Sequence, residues 1–234
     1  MTASLPSIIS ESVLNHRLRF PDNASFGGNI PKTRIYQRSG ATASIKQKFV
    51  QQLDKITWAC KLAPETINLP AGSFVKEIQV FDLTLKSGIE EVDEVVLRTM
   101  DKAIIHPLFY RINKNETCRY AMAYKRQHES ASDKWVVDDY FYSPWMDGGA
   151  VEQPLPQALN LQSLYEALLR LLLPEPATTS ESLPKQIARL HEIAVIQRAM
   201  ARLESAIAKE KQFNRKVELN AEMRTLQQQL KGMI

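Results

Sequence analysis

The sequence predicts an α+β fold: a mixed or antiparallel sheet of about four to five strands with helices on one face, followed by a helical coiled-coil segment. Three observations carry this. Residues 45–85 pass from helical spacing into the run richest in β-branched and aromatic residues. Three further strand-like runs, 108–112, 119–125 and 134–142, follow one another across turn-prone or polar stretches and read as an antiparallel meander. From Lys185 onward the chain has no proline, and its apolar residues keep a three-four alternation. The expected divisions are an N-terminal arm at 1–29, an α+β domain at 30–150, a connector helix and linker at 151–184, and the coiled-coil segment at 185–234.

Taken in order, the arm offers a short helix and then PDNASFGGN, which reads as loop. Lys32, Arg34 and Arg38 gather beside Tyr36 in a surface arm, a combination able to grip phosphates and stack on a base. Ile45, Phe49, Leu53 and Ile56 make an apolar stripe that Trp58 and Leu62 extend, predicting a helix capped by Ser44 and stopped by Pro64. The strand at 75–85 alternates imperfectly, as a strand covered on both faces does. Its polar members Glu77, Gln79 and Asp82, with Lys86 at its end, therefore need partners.

A second helix follows, with acids in its first turn and Val92, Val95, Val96, Met100 and Ile104 on its buried face; His106-Pro107 ends it. Asp101-Lys102 reads as a structural ion pair. Leucines 161, 164, 168, 171 and 172 form the connector helix. Ser182 and Pro184 signal the start of the next one. Two apolar seams, Ile193 to Ile207 and Leu219 to Leu230, are interrupted by KEKQFNRK at 209–216. That interruption is a hairpin tip, a stutter in one long helix, or a docking surface.

The balance of 44% hydrophobic and 24% charged residues is that of a soluble globular protein. No apolar run reaches the ~20 residues of a membrane span, and no secretory signal opens the chain. Cys60 and Cys118 stand alone and the four histidines are scattered. Neither a disulfide framework nor structural zinc is expected, and the location read from this is cytoplasmic. The net charge of +4 is unevenly spread. Residues 1–60 hold eight Lys/Arg against three Asp/Glu, residues 61–184 twelve against eighteen, and residues 185–234 ten against five. Basic ends favour nucleic acid or an acidic protein surface.

No phosphate-binding glycine loop, zincin motif, nucleophile elbow or dinucleotide fingerprint is present. The one constellation with catalytic spacing is Glu65 followed by Glu77-Ile-Gln79. Restriction-type nucleases hold a water-activating metal with such acids, with Gln79 here standing where a lysine is usual. The meander after the second helix departs from that nuclease core.

Several strings carry a resemblance. They are Phe49…Ile56-Thr-Trp58…Lys61-Leu62-Ala-Pro64-Glu-Thr66-Ile67-Asn68-Leu69, then Glu77-Ile-Gln79-Val-Phe81, then Asp101-Lys102-Ala103-Ile104. Ile30-Pro31-Lys32, Tyr124-Lys125 and Lys211-Gln-Phe213-Asn214-Arg215-Lys216-Val-Glu218-Leu-Asn220 belong with them. From about residue 30 to its end the chain resembles a bacterial domain of unknown function, number 4391. The resemblance implies a gene neighbourhood of helicases and DNA methyltransferases in restriction or antiphage islands, and it implies no reaction. The expected function is therefore a non-enzymatic accessory subunit of such a system. It would bind a helicase or methyltransferase, or DNA, with Lys211, Phe213, Arg215 and Lys216 as a contact and the C-terminal helices available for homodimerisation. This reading needs no cofactor or metal. The alternative is a divergent nuclease effector using Glu65, Glu77 and Gln79 with Mg²⁺.

Overall fold

The computed structural model describes residues 12, 14–128 and 131–234. The first residues of the arm, where a short helix is expected, and residues 129 and 130 of the polar stretch 126–133 lie outside them. The chain divides into two units, one ending at Leu173 and the other starting at Pro174.

In the first unit β2 (Ser25–Asn29), β3 (Leu53–Leu62), β4 (Ile78–Leu85), β5 (Leu108–Lys114), β6 (Thr117–His128) and β7 (Ala131–Tyr142) lie side by side in chain order. β8 (Met146–Asp147) joins β6 as the seventh strand, and β1 (Arg17–Arg19) and β9 (Glu152–Pro154) form a separate parallel pair. Neighbours in the large sheet are antiparallel except β4 and β5, which run parallel and are joined through α4 (Glu94–Ala103). A parallel pair needs such a crossover because no tight turn can reverse the chain twice. The sheet is larger than the pattern predicts for three reasons: PDNASFGGN, expected as loop, holds a 3₁₀ turn (Asp22–Ala24) and β2, β3 falls where a helix is expected, and β8 is added beside β6.

The predicted helix over 45–62 is corrected. Only α2 (Ala43–Gln52) is helical, capped by Thr42 rather than Ser44, and residues 53–62 are β3. The misreading has a physical cause. A bulge between Leu53 and Lys55 brings Ile56 round to the core side already held by Leu53, so two inward residues stand three apart, the spacing of a helix. Pro64 does not stop a helix but opens α3 (Pro64–Ile67), where its missing N–H costs nothing. Likewise the basic run at 32–38 is not a surface arm but α1 (Lys32–Ser39), ended by Gly40 in the left-handed conformation.

α1, α2 and α4 cover one sheet face, enclosing Phe49, Leu53, Phe81, Leu83, Leu97 and Tyr110. The other face carries Val80, Phe109, Tyr120 and Met122, all buried. The N-terminal arm closes part of it: Phe20 packs on Phe109 at 5.9 Å and Leu18 N–H donates to Tyr120 OH at 2.7 Å. α5 (Leu161–Leu172), capped by Asn160, lies against β6 and β7, and its buried leucines fall outside the first cluster.

The second unit is a helical hairpin. α6 (Leu183–Lys209) and α7 (Phe213–Lys231) are separated by a three-residue break, and Arg189 Nη1 donates to the Met233 carbonyl at 2.9 Å, tying the start of one helix to the end of the other. At the tip the Glu210 carboxylate accepts the N–H groups of Lys211 and Gln212, which sets the turn. Along the seam Leu219 and Met223 are buried, while Met200, Leu203, Leu226 and Leu230 are only half-buried. No helix among the described residues is long and apolar enough to cross a membrane.

Candidate functional site

Three groups of polar side chains stand out, and the sequence-predicted residues are divided among them.

The first sits where β3 ends and β4 begins. α3 starts two residues after β3, which returns Glu65 over Lys61; the Lys61 ammonium donates to Glu65 Oε1 at 2.6 Å. Glu77, one residue before β4, places Oε2 3.5 Å from the same ammonium. Gln79, buried and opposite Lys61 in the β3–β4 register, donates from Nε2 to Glu77 Oε1 at 2.5 Å. Glu65, Glu77 and Gln79 do therefore come together. What stands at their focus is Lys61, which the spacing of Glu65, Glu77 and Gln79 does not include. Glu65 chiefly, with Glu77, raises the Lys61 pKa; the Lys61 hydrogen bond in turn lowers that of Glu65. The set as it stands satisfies an ammonium and does not fit a divalent cation, which would have to displace Lys61 to reach both carboxylates. Among the described residues no three His, Cys, Asp or Glu side chains gather as a metal site.

On the same sheet face, one inward position back along β3, lies Trp58, with the ring of Phe26, 55% exposed, tilted against it at 4.1 Å. A Cβ on Gly28 would stand 2.9 Å from the Phe26 ring, so a glycine is what lets that ring lie down on the edge strand.

The second group is sealed. Asp101, near the end of α4, accepts hydrogen bonds at Oδ2 from Tyr110 OH (2.8 Å) and Tyr140 OH (2.5 Å). Its Oδ1 lies 3.4 Å from Lys125 Nζ, and both side chains are 1% exposed. Lys125 also donates to the carbonyls of Asp101, Ile104 and His106 at 2.7–3.1 Å, occupying the open C-terminal end of α4. The predicted Asp101-Lys102 ion pair is thus replaced by Asp101-Lys125, and Lys102 is exposed. Burial raises the Asp101 pKa and lowers that of Lys125, and it raises both tyrosines as well. No substrate reaches these groups, so they bind α4 to three strands. No local spacing could have shown the cluster, since its four members come from four elements.

The third group is basic and exposed. In α1, Lys32 turns inward to the Leu53 carbonyl at 2.5 Å, whereas Arg34 and Arg38 face solvent. At the hairpin tip Phe213 is 78% exposed, with exposed Val217 one turn further on. Lys209, Lys211 and Arg215 are exposed around them and Lys216 is half-buried; Arg215 pairs with Glu218 at 2.5 Å. Both cysteines are free and buried. Burial holds the Cys118 thiol up at about 11 and raises Cys60 too, so neither offers a thiolate at neutral pH.

The geometry defines an α+β domain whose strongest polar network is structural, coupled in one chain to a helical hairpin with a basic, apolar tip. A family model, the domain of unknown function DUF4391, matches residues 18–230, and the chain belongs to that family. The match begins at β1, earlier than the resemblance at about residue 30. Neither the curated proteins nor the solved structures gave a match.

Proposed function

We propose that this chain is a non-enzymatic accessory subunit of a restriction or antiphage system, docking through its hairpin tip onto an acidic surface of the system's helicase or DNA methyltransferase. The observation that carries the reading is the tip itself: Phe213 and Val217 stand exposed among Lys209, Lys211, Arg215 and Lys216. Cations alone suit a phosphate backbone. Cations with an aromatic can also stack on a base, but an aromatic with an exposed aliphatic beside it, Phe213 with Val217, suits an apolar pocket on an acidic protein surface. Arg34 and Arg38 on α1 offer a further exposed basic pair in the first unit. The partner class comes from the gene neighbourhood that the family resemblance implies.

The test is capture of purified helicase and methyltransferase from such a neighbourhood by the tagged full chain, beside the R215E/K216E variant and Phe213→Ala. Capture by the native chain, lost in both variants at unchanged circular dichroism, supports docking. No capture, or capture indifferent to the variants, sinks it. Tip-dependent binding of duplex DNA alone, weakening steeply with salt, replaces the protein partner with nucleic acid.

The nuclease alternative draws on one observation, the convergence of Glu65, Glu77 and Gln79, and requires a metal to displace the Lys61 ammonium from both carboxylates. It demands Mg²⁺- or Mn²⁺-dependent cleavage that disappears in Glu77→Ala; intact DNA under both metals ends it.

A further inference from the structure

A groove of about 590 Å³ runs between α6 and α7, floored by Leu203 and Leu226 and walled by Ala199 and Ala206. Arg202 stands on the α6 side and Glu222 on the α7 side. Leu203 and Leu226 belong to the inward seam of the hairpin, yet both remain half-buried. Two helices can share one stripe but cannot enclose it; packing further helices across the stripe can. The alanines stand seven residues apart, two turns on the same face, and let a second helix approach closely.

We infer that this groove seats the hairpin of a second copy of the chain, forming a two-fold, four-helix dimer. Charge decides in favour of a second copy. Arg202 and Glu222 are exposed; Arg215, two turns before Glu222 on α7, feels the Glu222 charge but is held in contact by Glu218, which leaves the Glu222 carboxylate open to a cation across the groove. A two-fold axis passing between them lays α6 of one copy on α7 of the other and sets each Arg202 against Glu222 of the second copy. One interaction is thus made twice, the mark of an isologous interface. The 19 residues of α7 provide about 28 Å of helix for the contact. The tip residues proposed above lie beyond the groove, so this inference does not rest on the docking reading.

The experiment is sedimentation velocity with light scattering on the full chain over a range of concentrations. The native protein is expected at twice its 26.6 kDa. R202E and E222R, each placing like charges across the axis, should weaken the dimer at least about tenfold. R202E/E222R should restore it. Both positions are exposed, and circular dichroism checks that the helices persist. A native monomer at every concentration overturns the inference, even if a helix from another protein fills the groove. Single variants that dimerise normally, or a double variant that does not recover, overturn it equally. Phe213→Ala, an uncharged change at a residue that does not line the groove, should leave the mass unchanged, so failure of docking and failure of dimerisation are read separately.

Discussion

Lys125 brings its ammonium to three backbone carbonyls and one carboxylate in a place with almost no solvent. Such a charge is tolerable only while its partners remain, because an ion buried alone is far more costly than a buried pair. Lys125→Met should therefore destabilise the first unit by about 3–5 kcal/mol in urea unfolding, since Asp101 is left behind. D101N/K125M together should cost less than the sum of the two single changes, as expected for groups in one network. Additive losses would show that the pair is not coupled. Tyr140→Phe, which removes only a hydroxyl, should cost about 1–3 kcal/mol. Two of the strings that carry the family resemblance, Asp101-Lys102-Ala103-Ile104 and Tyr124-Lys125, end in this network. A third, Ile30-Pro31-Lys32, ends at the Leu53 carbonyl. Three of the strings on which the resemblance is read therefore hold the sheet to its helices.

The elements differ in how plainly they were written in the chain. β5, β6, β7 and α4 were legible because turn residues or a proline bound them, even though the β6–β7 pairing is itself interrupted by register shifts. β3 was not legible, since its bulges shift the inward positions and Leu53 and Ile56 fall at helical spacing. β2 was hidden by its glycines, which a turn would also use, and the hairpin was narrowed to three choices by KEKQFNRK without being decided. For the candidate site, Glu65, Glu77 and Gln79 could be named but not Lys61, whose role depends on α3 folding back over the strand. The hairpin also carries a pH-sensitive joint. The Arg189 guanidinium foremost, with the Thr178 N–H, holds the Glu181 carboxyl down at about 2. A lowered carboxyl pKa stabilises the folded form fully above its unfolded value of 4.5, and that contribution fades as pH falls toward 2. Glu181→Gln should thus be less stable than the native chain near neutrality, with the gap closing between pH ~4.5 and ~2. A gap independent of pH would remove Glu181 from this role.

On the scale of the whole molecule, the acidic middle of the chain does not make an acidic domain. Residues 11–173 hold twenty Lys/Arg against nineteen Asp/Glu, because the basic residues 11–60 offset the acids that follow, and residues 174–234 hold ten against seven. A basic hairpin in the same chain as a nearly neutral domain is a means of meeting an acidic partner without giving the entire protein a nucleic-acid-binding surface. Raising salt should accordingly weaken capture by the native chain more than any binding that survives in R215E/K216E, as surface plasmon resonance at several ionic strengths would measure. The position of α5 has a consequence during synthesis. The six strands from β2 to β7 are complete at Tyr142, but the helix against β6 and β7 begins only at Leu161. A ribosome translating this message therefore holds, for a time, a sheet with an uncovered apolar face, the condition in which nascent chains aggregate or engage chaperones.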